Sequence, residues 1–287
     1  MAERVVGVIG GSGLYEMKEL KVERRVRMKT PFGDPSDAFI IGRLKGVKMV
    51  FLPRHGLGHR LLPSEINYRA NLWGLKKLGV EYLIASGTCG SFKDELAPGT
   101  IVVIDQFLDR PRLRQSTFLG HGIAGHPSFA DPVCPELSRV LYRAGKSVGA
   151  PMKMGGTYVC MEGPHLSTRA ESFFYKGLGA DVIGMTNLTE AKLAREAEIC
   201  YASLALVTDY DCWHETEADV TIEMVLEGMK KNVETYRRIV KEAITQLPQP
   251  RACACASAMQ YAVITDPKVI PAKVKKDLKI ILGKYLK

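Results

Sequence analysis

Short runs rich in β-branched and aromatic residues alternate with stretches whose apolar positions recur every three or four residues, and this alternation constrains the fold more than any other feature. Extended segments are predicted at Val5 to Ile9, Phe39 to Leu44, Val47 to Leu52, Tyr82 to Ala85, Ile101 to Ile104, Thr157 to Met161, Val182 to Ile183 and Tyr201 to Thr208. Lys45-Gly46 reads as a hairpin turn. Ser64 is expected to cap a helix that carries Ile66, Ala70 and Trp73 and stops at Gly79. A second helix shows Leu137, Val140, Leu141, Ala144 and Val148 on one face and ends at Gly149. A third is expected from Thr168 to Leu178, a fourth after Thr189, and the longest from near Asp219 to the break at Leu247-Pro248. The pattern predicts a three-layer α/β/α sandwich around a mixed, largely parallel central sheet, with the site in loops at strand ends. One domain over residues 1–248 is expected, with a tail, 249–287, of short helices packing on it.

Composition narrows the function classes. The net charge of +9 is spread along the chain without a block of like charges or an aromatic-interleaved basic run. Such a surface suits an anionic small molecule at least as well as a polyanion, so no nucleic-acid partner is expected. Val5 to Ile9 is too short for a signal-peptide core or a membrane span, which predicts a cytoplasmic protein without membrane association. Of seven cysteines the close pair, Cys253-Ala254-Cys255, lacks CxxC spacing, so no metal is expected. Asn and Gln are scarce, 4 and 5 residues, in keeping with the avoidance of thermolabile amides in hot environments.

Four segments carry candidate chemistry. Gly10-Gly11-Ser12-Gly13 follows the first strand, where small residues let amides and a hydroxyl approach an oxyanion; the spacing fits neither the dinucleotide fingerprint nor a Walker loop, and a plain tight turn is the alternative. Arg54-His55-Gly56 ends another strand with a planar guanidinium fork suited to phosphate and an imidazole that can add a donor, or with a solvated Arg beside a packing His. Ser86-Gly87-Thr88-Cys89-Gly90-Ser91 is read as a third small, polar strand exit. Asp209-Tyr210-Asp211 places two carboxylates beyond an apolar strand, where an Asp of raised pKa can protonate or bond N7 of a departing purine; two solvated acids at a helix cap are the alternative.

Together with Thr30 to Asp37, Asn67 to Asn71, Asp105 to Phe107, Met161 to Pro164, Ser167 to Ser172, Gly184 to Thr186 and the Asp-Tyr-Asp-Cys-Trp run from Asp209, these segments make the chain resemble 5'-methylthioadenosine phosphorylases, a branch of the trimeric purine nucleoside phosphorylase family. The resemblance spans Val5 to about Thr245. It implies phosphorolysis of methylthioadenosine to adenine and 5-methylthioribose 1-phosphate, in purine and methionine salvage, by a homo-oligomer that is a trimer or a dimer of trimers. Ser12, Arg54, His55, Gly87, Thr88 and Thr186 would hold phosphate. Met185 would contact the ribose, and Leu166, Ser167, Ile183 and Ile222 would belong to the nucleoside pocket. Asp209 would meet N7, Asp211 the 6-amino group, and His126 of a neighbouring subunit the alkylthio end. Phosphate is a co-substrate, and neither metal nor organic cofactor is implied. The tail is similar to that of thermophilic archaeal members, which implies candidate bridges between Cys134 and Cys200 and between Cys253 and Cys255; free thiols are the alternative, since a CxC ring is strained. Rival readings are a phosphorylase of inosine, guanosine, adenosine or methylthioinosine, which would share every phosphate-binding segment, and a non-catalytic nucleoside-binding protein.

Overall fold

A computed structural model describes residues 3–286 apart from 12, 14–16 and 215–221. In chain order the elements are β1 (Val5–Gly10), β2 (Lys21–Val26), β3 (Phe39–Leu44), β4 (Val47–Pro53), α1 (Tyr68–Lys77), β5 (Tyr82–Ser91), β6 (Ile101–Val103), β7 (Gln106–Asp109), α2 (Pro135–Ser147), β8 (Met152–Met154), β9 (Thr157–Cys160), α3 (Arg169–Gly177), β10 (Val182–Gly184), α4 (Asn187–Glu196), β11 (Cys200–Asp209), α5 (Ile222–Gln246), α6 (Ala272–Asp277) and α7 (Lys279–Leu282). The strands form one mixed sheet. β1 runs parallel to β4 and β5, β5 to β11, and β9 to β7 and β10, whereas β2–β3, β3–β4, β5–β10 and β6–β11 are antiparallel.

Period-two patterning explains the layers. Val5 and Ile9 of β1, with Leu83 and Ala85 of β5, face α1, α4 and the tail helices through Leu72, Leu75, Ala191, Leu193 and Ile281. Val6 and Val8, with Ile84 and Leu204, face α2 and α5 through Leu137, Leu141, Tyr236 and Val240. Each fully buried side chain of this kind contributes roughly 1.5–3 kcal/mol, so the sheet is fixed from both sides. The tail is tied to the same body: Trp73 Nε1 donates to the Asp277 carbonyl (3.1 Å), and Arg251 Nη1 to that of Glu198 (2.9 Å).

Helix ends match local chemistry more closely than the sequence pattern alone. α1 starts at the cap Asn67, whose Oδ1 accepts from Ala70 N (3.1 Å), rather than at Ser64. α3 begins with a capping box between Thr168 and Glu171. α4 starts earlier than expected, behind Thr186. The expected origin of α5 at Asp219 lies outside the described residues. Three strands have no alternating apolar signal and were not expected: β2, β7 and β8. β2, Lys-Val-Glu-Arg-Arg-Val, is an exposed edge whose charges and register shift discourage a further strand. No helix among the described residues is long and apolar enough to cross a membrane.

Candidate active site

β5 organises the site. It pairs with β1 only through Tyr82–Ala85 and with β10 only at Gly90 and Ser91, so on that side Ser86 to Cys89 have no strand neighbour, while β11 accompanies the other side throughout. The Ser-Gly-Thr-Cys-Gly-Ser segment, expected as a loop, is therefore the interior of a ten-residue strand with a one-sided gap in its ladder. A crevice at the carboxyl ends of parallel strands, where the sheet order reverses, is a favoured place for a ligand.

The first end of the gap is framed by a buried arginine–glutamate ion pair. Arg54 follows β4, its amide bonded to the Gly10 carbonyl (2.9 Å), and its side chain is buried. Both Glu190 oxygens grip the guanidinium, Nη2 to Oε2 at 2.9 Å, while Nη1 donates to the carbonyl of Ser86 (2.8 Å), inside the gap. Burial works against the charge of Arg54, but Glu190 outweighs it and holds the guanidinium protonated. Glu190 lies in the first turn of α4, so the pair fastens the amino end of that helix to β5. Thr186, the cap residue, makes no side-chain capping bond, and its hydroxyl and Asn187 Oδ1 approach Gly87, at 3.8 and 3.0 Å from where a Cβ would stand. The amides and dipole of this helix end favour an anion. The glycine loop after β1 is held by α5, with Arg237 Nε donating to the Gly13 carbonyl (3.1 Å); Ser12 lies outside the described residues.

His55 differs in chemistry from the expected donor. Its Nδ1 is bonded to the Leu61 carbonyl (2.9 Å), which can only accept, and its ring stacks on His59 at 4.1 Å. Burial, then the charge of Arg54, push its pKa down to about 4. The imidazole is neutral at pH 7 with its proton on Nδ1, so Nε2 offers a lone pair.

The second end is acidic. β11 shifts register between Val207 and Asp209, and this bulge re-aims Asp209 beside Gly90. A Cβ on Gly90 would stand 2.7 Å from Asp209 Oδ1 and 3.1 Å from Asp211 Cβ, so only glycine permits the approach. Asp209 accepts from Thr208 Oγ1 (2.7 Å) and the Asp211 amide (2.9 Å). Asp211 is buried, its Oδ2 without a hydrogen-bond partner in the protein. Burial pushes the Asp211 carboxyl up, and the charge of Asp209 pushes the same way, against the opposing influence of the Ser172 and Ser167 hydroxyls. Ile183 is in register with Gly90 and packs with Phe92, Val159 and Trp213. Ser167 joins this wall: its carbonyl accepts from Cys212 Sγ (3.5 Å).

Known proteins resemble this arrangement over its whole length. The model of the phosphorylase superfamily matches residues 5–245. The S-methyl-5'-thioadenosine phosphorylase of Geobacter sulfurreducens is 55% identical over 99% of this chain and 100% of its own. That of Koribacter versatilis is 52% identical, over 98% and 96%. Among solved structures, a methylthioadenosine phosphorylase sourced from an antarctic soil metagenomic library superimposes with a TM-score of 0.92 at 44% identity, covering 98% of this chain and 100% of that one. The methylthioadenosine phosphorylase from Schistosoma mansoni in complex with adenine gives 0.84 at 37% identity, over 90% and 98%. The chain belongs to the phosphorylase superfamily. The curated relatives named here are bacterial and lend no support to the archaeal likeness of the tail.

Within this phosphorylase the expected residues are not all assembled. Arg54, Gly87 and Thr186 meet at one end of the gap, and Asp209, Asp211, Ser167 and Ile183 at the other. Thr88 lies in the gap between them. Met185 joins β10 to α4, its carbonyl accepting from Arg114. Leu166 is exposed on the loop before α3. His126 is exposed on a loop pinned to the tail through its amide and the Ala262 carbonyl (2.8 Å), and no described contact within the chain joins it to either group. The side chain of Ile222 lies outside the described residues. The expected disulfides are corrected: all four cysteines are free, and the short contact is between Cys200 and Cys253, at 3.2 Å, where a disulfide needs about 2.05 Å. β11, α2 and the tail bring all four sulfurs to one point, within 4.8 Å of one another.

Two residues were missed. Glu190 reads in sequence as an ordinary first-turn acid, and only the fold places it on Arg54. Arg114, in a polar loop without periodicity, is almost wholly buried and staples the Met161, Glu162 and Met185 segments together, with Nε on Glu162 Oε1 at 2.9 Å. Its proximity to the otherwise unexplained Glu162 is a signal that sequence spacing does not carry.

Proposed function

We infer that this chain catalyses phosphorolysis of 5'-methylthioadenosine, a pentosyl transfer from adenine to inorganic phosphate. The observation that carries the reading is the gap in the β5 ladder, with the Arg54–Glu190 frame and the amino end of α4 at Ser86 and Gly87 and paired carboxylates at Gly90. Three residue steps, from Gly87 to Gly90, separate those ends by about 10 Å, a span that a sugar between phosphate and base occupies. Phosphate held by Arg54, Gly87, Thr88, Thr186 and Ser12 attacks C1' from one face while the C1'–N9 bond breaks on the other. The Arg54–Glu190 pair keeps the frame rigid, so little reorganisation accompanies the reaction. His55 Nε2 accepts a hydrogen bond from a phosphate hydroxyl, which stays protonated, consistent with its neutral ring. Asp209 supports N7 of the leaving base, and the partnerless Asp211 Oδ2 accepts from the exocyclic amine of adenine, where a 6-oxo purine would present a second acceptor. The reaction needs no metal or organic cofactor.

Exposed Leu113, Phe173, Phe174 and Leu178 support a homo-oligomer, trimeric or a dimer of trimers, in which a neighbour donates His126. We place the protein in the cytoplasm, and the scarcity of Asn and Gln supports a heat-resistant chain. The deciding assay follows free base released from methylthioadenosine, adenosine and inosine with and without phosphate. Phosphate-dependent release, fastest for methylthioadenosine, is expected; equal release without phosphate overturns phosphorolysis, and preference for inosine overturns the adenine clamp.

A further inference from the structure

Far from the sugar gap, at the opposite end of β11, four thiols converge. Cys200 opens that strand and Asp209 closes it, which places the thiols about 30 Å from the acidic end of the site. The Sγ atoms of Cys134, Cys200, Cys253 and Cys255 all lie within 4.8 Å of one another, with Cys134 and Cys200 buried. We propose that these four cysteines form a structural tetrathiolate site for a thiophilic divalent cation, zinc first among them, that staples the tail to the α/β body.

The geometry favours coordination over paired bridges. A tetrahedral ion with Zn–S bonds of about 2.3 Å sets all six sulfur separations near 3.8 Å, whereas two disulfides need two separations near 2.05 Å and leave the other four free. Here all four sulfurs are mutual neighbours within 4.8 Å, and the 3.2 Å between Cys200 and Cys253 is well above a disulfide bond length. The CxC spacing that argued against a metal site in the sequence concerns two ligands alone; the fold supplies the other two from positions 134 and 200.

The surroundings suit an anionic cluster. Cys134 is the cap residue of α2, a thirteen-residue helix, and makes no side-chain capping bond, so its sulfur stands where the helix dipole favours negative charge. Nη1 of Arg251 lies 3.7 Å from Cys200 Sγ, a cation beside a site whose four thiolates exceed the charge of a divalent ion by two. The ligands are held before any ion binds. The Cys134 amide donates to the Tyr201 carbonyl (2.7 Å), Arg251 Nη1 to that of Glu198 (2.9 Å), and the Met259 amide and Tyr285 hydroxyl to Glu198 Oε1 (3.2 and 2.6 Å). A small cavity lined by Pro132, Cys134, Cys255 and Ala258 adjoins the cluster. Binding is redox-neutral: four S–H bonds break, four metal–sulfur bonds form, and four protons leave to solvent.

The test uses the full chain, stripped with a chelator, reduced, and titrated anaerobically with Co²⁺ and then Zn²⁺. Expected are about one Co²⁺ per chain, sulfur-to-cobalt charge-transfer and tetrahedral ligand-field absorption, and loss of both on adding Zn²⁺. Bound Zn²⁺ should shield Cys134, Cys200, Cys253 and Cys255 from alkylation, read peptide by peptide, and leave the other three cysteines unaffected. Cys255→Ser should weaken Co²⁺ binding by more than the roughly 10–100-fold cost of losing an outer-shell partner, and Cys160→Ala should retain it. Absence of the charge-transfer band in a wild-type chain whose thiols count as fully reduced overturns the proposal. So does a shielding pattern on other cysteines, and both outcomes are read without relying on how any variant folds.

Discussion

The two ends of the gap in β5 are built on opposite principles. At Ser86 and Gly87 the polar groups are mutually satisfied before a ligand arrives: Arg54 spans Glu190 and the Ser86 carbonyl, and His55 is fixed by Leu61. At Gly90 the carboxylates are crowded, and Asp211 Oδ2 is left with no partner in the protein. A prepaid frame suits phosphate, which every reaction of this type shares, while an unmet buried acceptor costs stability that a matching base repays, and so confers selectivity. The same gap thus contains a general half and a discriminating half, and each can be broken separately.

Removing the frame should have the largest effect. Arg54→Ala takes away the cation proposed to hold phosphate and removes the ion-pair partner of buried Glu190, so kcat/KM for phosphate should fall by about 10³-fold. Unfolding in denaturant should show a loss of roughly 3–5 kcal/mol. Arg54→Met combined with Glu190→Gln should regain much of that stability without regaining activity. Recovery of both would mean that the pair is merely architectural. At the other end, Asp209→Asn should lower kcat by about 10²-fold, with KM for phosphate unchanged because the frame stays intact. A parallel rise in phosphate KM would show that the two ends are not independent.

A smaller effect sharpens the comparison. Asp211→Asn can turn an amide N–H toward a 6-oxo group, so the preference for methylthioadenosine over methylthioinosine should narrow by about tenfold, ~1–2 kcal/mol, with little change in phosphate affinity. Competition assays with both nucleosides in one vessel read this ratio directly. An unchanged ratio would remove Asp211 from base selection.

Legibility in the sequence divides along the same line. The layers, the Lys45-Gly46 turn, the end of α2 at Gly149 and the span of α3 follow from periodicity and local capping, which act over a few residues. The partner of Arg54, the burial of Arg114 and the gathering of four cysteines depend on strand order and long connections, about which spacing is silent. The Ser86–Ser91 segment shows the difference most plainly. Its small residues announced a ligand, but their meaning as a loop was mistaken: glycines there admit Asp209 and Asn187 to a strand that continues. β2 was illegible for another reason, since an edge strand protected by charge lacks the alternation that identifies its neighbours.

The smallest net effect, in the wild-type chain, comes from two groups whose titrations oppose each other. His55 is held neutral, with its pKa pushed from about 6.5 to about 4 by burial and Arg54. The unfolded chain therefore binds more protons there between those values, and the stability this site contributes is complete above about 6.5 and lost as pH falls toward 4. Glu196, buried, has its pKa raised by desolvation from 4.5 to about 7, against hydrogen bonds from Thr117 and the Phe118 amide. Its contribution has the other sign: the folded state holds a proton that the unfolded state has released, so stability is present below about 4.5 and declines as pH rises through 7. The wild-type slope between 4.5 and 6.5 is the difference of the two and should be shallow. His55→Gln should make stability fall with rising pH across that window, and Glu196→Gln should make it rise, each by about 1–3 kcal/mol in denaturant titrations. Only the His55 change should also weaken phosphate binding, because Glu196 bonds the Thr117 loop and not the frame; equal loss in both variants would detach His55 from the phosphate end of the gap.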